Sequence, residues 1–143
     1  MTARLTGLLT SLSFFLLLLG PNNSKAGPLS KDAQQHLLHA IVQDQVDVVE
    51  GLLDQSGDPN ARIKPDKEDV WLLKSRPGDD PAQPLIVRAC GYGCLGSKVI
   101  QLLIDRGANV NITDKNGVTP LMMASELDWD PSISLLLKHG ANR

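Results

Sequence analysis

Aromatic side chains make up only 3% of the 143 residues, which argues against a β-sandwich built on aromatic and β-branched faces. Leu, Ile, Val and Ala must fill the core, and a chain of this length suits one small domain of stacked helices. Basic runs are also missing: 14 Lys and Arg stand against 16 Asp and Glu, a formal charge of −2. A phosphate-neutralising surface for nucleic acid is therefore not expected. Cysteine is limited to Cys90 and Cys94, and no second Cys or His pair stands at metal-ligand spacing, so no metal or other cofactor is expected. There is no Gly-x-Ser-x-Gly elbow, phosphate loop or carboxylate pair on a plausible strand, and so no sign of an enzyme. His36 and His39, three apart on a helix, and His139 at a helix-to-loop corner have the ordinary reading of local hydrogen bonding or exposure.

No apolar run is long enough to span a bilayer comfortably. The stretch from Leu8 to Leu19 follows a single charge, Arg4, and has the length of a signal-peptide h-region. Pro21, Asn22 and Asn23 break it, and Ser24-Lys25-Ala26 places small residues for cleavage before Gly27. Residues 1–26 are thus expected to be a cleaved export signal, with an uncleaved membrane anchor as the alternative. No Cys follows the run, so lipid attachment of the bacterial lipoprotein type is not available. Loss of Arg4 and Lys25 takes the charge from −2 to −4. The mature chain is expected to be periplasmic or secreted, monomeric and not held in the membrane.

Export changes how the cysteines are read. Cys90-Gly-Tyr-Gly-Cys94 places the pair one turn apart in an oxidising compartment, where a local disulfide clamp can persist. The alternative is two ordinary buried small residues of a helix pair. A redox role is a competing functional reading, although only Arg88 stands nearby to stabilise a thiolate.

What the chain does have is punctuation. Gly107 suits the left-handed close of a helix, Asp114-Lys115-Asn116-Gly117 is turn chemistry, and Thr119-Pro120 is a cap followed by a first helical residue. The order is helix, hairpin, helix. Thr119-Pro120-Leu121-Met122-Met123-Ala124 resembles the Thr-Pro-Leu-His-x-Ala signature of the ankyrin repeat, with Met122 in place of His. Val48–Asn60 aligns with Val99–Asn111 at every apolar position except Gly51, and Leu135–Asn142 gives a third copy. The last two copies lie 33 residues apart, the family period, and the first two lie 51 apart, an excess of 18.

The resemblance implies an all-α solenoid of helix pairs joined by hairpins over residues 27–143. Its repeats fall at about 30–62, 83–115 and 116–143, and a loop is inserted at about 63–82. Its expected core is Leu37, Leu52, Leu53, Leu85, Val99, Leu102, Leu103, Leu121, Ala124, Leu135 and Leu136. Ser30 and Asp130 are expected helix caps, and Ser132 and Ser134 a polar cover on the terminal repeat. The implied function is binding of a protein partner through hairpin tips and the concave inner-helix face, with contacts from Lys115, Asn116, Val118, Met123 and Glu126. In the insertion, Trp71 and Leu72 stand among prolines and charges, either as partner anchors or as cover for their own domain. A periplasmic stress factor and an immunity-type inhibitor of an exported effector are both compatible with this reading. Asn111-Ile112-Thr113 is a glycosylation sequon, but its Asn stands where the repeat braces its hairpin.

Overall fold

A computed structural model describes residues 28–56, 58–66, 80–91 and 97–143. Residues 1–26, read above as an export signal, and Trp71, Leu72 and Cys94 lie outside these residues. Among the described residues there are six helices and no strand: α1 (Lys31–Val42), α2 (Val46–Ser56), α3 (Leu85–Gly91), α4 (Lys98–Asp105), α5 (Pro120–Glu126) and α6 (Asp130–Lys138). They form three packed pairs, α1 with α2, α3 with α4 and α5 with α6. The first helices of the pairs pack in a row, α1 on α3 and α3 on α5, while α2 packs on α4 behind them. This is the expected all-α solenoid.

Local chemistry explains several of the boundaries. Ser30 caps α1 by accepting from Ala33 N at 3.3 Å, and Thr119 caps α5 by accepting from Met122 N at 3.1 Å. Gly107 closes α4 at φ 91°, and its neighbour Ala108 donates to Leu103 O at 2.9 Å. The same closure recurs 33 residues on, with Gly140 at φ 85° and Ala141 bonded to Leu136 O at 3.0 Å. The turns inside the first and third pairs are also copies. Asp44 and Asp128 take φ 54° and 53°, a conformation Asp tolerates, and Gln45 N and Trp129 N reach Ala40 O and Ala124 O.

One cap differs from expectation. Trp129, with φ −86° and ψ 77°, is the N-cap of α6 and makes no side-chain capping bond, and Asp130 lies in the first turn beside Pro131. The helix starts one residue early because Asp130 carries its negative charge into the first turn, where the helix dipole favours it.

An asparagine ladder joins the pairs. Asn60 Oδ1 accepts from Asn109 N at 2.7 Å, and Asn111 Oδ1 accepts from Asn142 N at 2.7 Å. The amides of the same side chains donate to Gly107 O and Gly140 O, at 3.4 and 3.1 Å. Each amide therefore satisfies one donor and one acceptor of the following exit loop. In the folded chain the Asn111 sequon nitrogen is engaged, which disfavours glycosylation there.

Of the expected core, Leu37, Leu52, Leu53, Leu85, Val99, Leu103, Ala124 and Leu136 are buried. Leu102, Leu121 and Leu135 are only partly covered and pack against that core. Ser132 also departs from expectation: it is 3% exposed and sits inside the stack where Val99 sits one repeat earlier, so it gives the terminal repeat no polar cover. Ser134 is exposed.

Candidate protein-binding surface

The hairpin between α4 and α5 is held from within and from the preceding repeat. Asp114 is 5% exposed; its Oδ1 accepts from Asn116 N at 2.8 Å and Val118 N at 2.9 Å, and Asp114 N donates to Val118 O. Gly117, at φ 80°, completes the turn. From the preceding repeat, Asp80 Oδ2 accepts Lys115 N at 3.0 Å, Gln83 Nε2 donates to Asp114 Oδ2 at 3.4 Å, and Arg62 Nη2 donates to Thr113 O at 2.6 Å. Every backbone N–H from Asp114 to Val118 thus donates a bond, while the Lys115 and Asn116 side chains stay exposed.

Asp80 is the centre of this clasp. It is 7% exposed, and burial alone raises a carboxyl pKa. Here the N–H groups of Lys115 and Ala82, together with the charges of Lys115 and Arg62, outweigh burial and hold Asp80 below 3.8.

Both described ends of the inserted segment are fastened to the body. On the outgoing side Ile63 and Pro65 are buried, and the Gln35 amide bonds the backbone on both sides of Pro65, donating to Lys64 O and accepting from Asp66 N. Lys31 and Asp66 meet at 3.0 Å. On the return, Arg88 Nη2 donates to Pro81 O at 3.1 Å, and an isolated bridge pairs Arg62 with Pro84. Arg88 is 1% exposed and occupies the α3 position that Ala40 and Ala124 fill in the other repeats.

The sequence-predicted residues divide accordingly. Lys115, Asn116 and Val118 share the tip, with Val118 half-buried beside the two exposed side chains. Glu126 is exposed at the end of α5. Met123 is half-buried: its Cγ and Sδ lie 3.0 Å from where a Cβ on Gly91 would stand, so it seals α5 against α3. Its neighbour Met122, 59% exposed, is the open methionine. Cys90 is 2% exposed within α3, and its expected disulfide involves Cys94, outside the described residues.

The residues that sequence reasoning passed over are Gln35, Arg62, Asp80, Gln83 and Arg88. In sequence Asp80 is one of the charges of the insertion, and Arg88 stands only as a thiolate neighbour. The available signal was register: placing Pro84 on Pro120 puts Arg88 where the repeat has Ala.

A family model described as ankyrin repeats, in three copies, matches residues 64–143. The chain belongs to the ankyrin-repeat family. The first helix pair lies ahead of that match, but its inner turn repeats that of the third pair, Gln45 N on Ala40 O as Trp129 N on Ala124 O, and Asn60 makes the same rung as Asn111. No curated protein matches the sequence. Ankyrin repeats are general protein–protein interaction modules and typically non-enzymatic.

Proposed function

We propose that this ankyrin-repeat protein is exported and binds a protein partner through the tip at Lys115, Asn116 and Val118 and the neighbouring inner-helix residues Met123 and Glu126. The reading rests on one observation: Asp114 and Asp80 pin the tip's backbone while Lys115 and Asn116 remain exposed. A loop already held in shape loses little conformational freedom on binding, which favours affinity. Trp71 and Leu72, in the inserted segment, are proposed as further contacts on the sequence reading alone, a large aromatic and a leucine standing among prolines and charges. Export rests on the signal features of residues 1–26. Burial of Cys90 weighs against exchange with an external thiol and so against the redox reading.

The test is affinity capture from the native compartment with wild type and a Trp71→Ala, Lys115→Ala double variant. Selective loss of a captured protein by the variant supports the surface, and equal capture by both counts against it. N-terminal sequencing of the exported protein is expected to begin at Gly27; a retained Met1 would mean an anchor.

A further inference from the structure

Within the stack, each junction between repeats joins two sets of positions. One set is sealed wherever a repeat follows. Leu37 and Leu85 are 0% exposed, Leu38 and Ile86 are 1% and 0%, and Val49 and Ile100 are both 0%. Their counterparts in the third repeat are less covered: Leu121 and Ile133 are half-buried, and Met122 is 59% exposed. The other set is sealed wherever a repeat precedes. Pro84, Pro120, Val99 and Ser132 are buried, whereas their first-repeat counterparts differ, with His36 exposed and Val48 half-buried. The third repeat thus presents one half of a junction, and the first repeat presents the other half.

We propose that the two halves meet between copies, so that Leu121, Met122 and Ile133 of one chain stack on His36 and Val48 of a second, head to tail. The argument is continuity with the interface that joins the repeats inside one chain: at these positions an ankyrin helix pair is what covers the equivalent residues. Such a contact is heterologous, so it propagates beyond a dimer instead of closing. Five residues carry the contact, against roughly 20–30 a side in a standard interface, so assembly belongs at high protein concentration. The monomer expected from sequence is then the dilute state.

Sedimentation of the protein as its host exports it, at rising concentration, tests this. Wild type is expected to pass two chains in average mass. Met122→Glu and Val48→Glu are each expected to stay at one chain with a circular dichroism melt close to wild type; His36→Glu replaces Val48→Glu if the latter unfolds. Mixing one variant from each face leaves one good face on each chain and is expected to give dimers and nothing larger. The proposal fails if wild type stays at one chain, if its mass stops at two, if Met122→Glu assembles like wild type, or if the mixture stays at one chain.

Discussion

At the scale of single residues, the exceptions to the repeat carry the information. Gly51 stands in α2 where the other repeats have Leu102 and Leu135, and a Cβ built there meets nothing within 4 Å. Its cost is backbone freedom in the unfolded chain, without any compensating close approach. Gly51→Ala is therefore expected to stabilise the protein by about 0.5–1 kcal/mol in urea denaturation. Asp80 is the opposite case, an irregular residue with four reasons to be charged. Because its folded pKa is below the ordinary 3.8, its stabilisation is present above that value and is lost as pH falls through the lower folded value. Asp80→Asn is expected to lower stability at neutral pH and to flatten the loss of stability on acidification below about pH 4, read from denaturation midpoints across pH.

At the scale of elements, each helix is short and depends on its ends and its buried stripe. α5 spans 7 residues, too few to persist unaided, so its cap carries unusual weight. Thr119→Ala is expected to cost about 1 kcal/mol, measured as a shift in the urea midpoint at unchanged slope. Adjacent leucines of α4 are expected to differ. Leu103 is 0% exposed whereas Leu102 is only partly covered, so Leu103→Ala is expected to cost about 2–5 kcal/mol and Leu102→Ala clearly less. Equal losses would show that the two positions are equivalent within the stack.

At the scale of the whole molecule, three helix pairs are near the shortest array that holds together, because each pair covers its apolar stripe only with the next. The asparagine rungs at Asn60 and Asn111 run across both junctions, and Arg106 of the second repeat pairs with Glu50 and Asp54 of the first. No pair is independent of the middle one. Unfolding followed by far-UV circular dichroism and by tryptophan fluorescence is expected to give superimposed transitions. Separate transitions would mean that a terminal repeat melts by itself.

The sequence by itself determined the repeat, its period, its caps at Ser30 and Thr119, its helix closure at Gly107 and its turn glycine at Gly117. These depend on φ, side-chain reach and helical spacing over a few residues, and those are local properties. Only the tertiary structure decided which of two neighbouring methionines is covered, that Ser132 faces inward, and that Asp80 is a buried clasp and not a loop charge. Each of these depends on what lies beside a residue after the chain has returned across 30 or more positions, as Lys115 does to meet Asp80. A sequence pattern marks one helix as amphipathic, but the neighbouring repeat sets how much of that face is sealed. For the same reason, the sequence marks Arg88 only as a neighbour of the cysteines, and the stack places it, buried, in a slot that the other repeats fill with alanine.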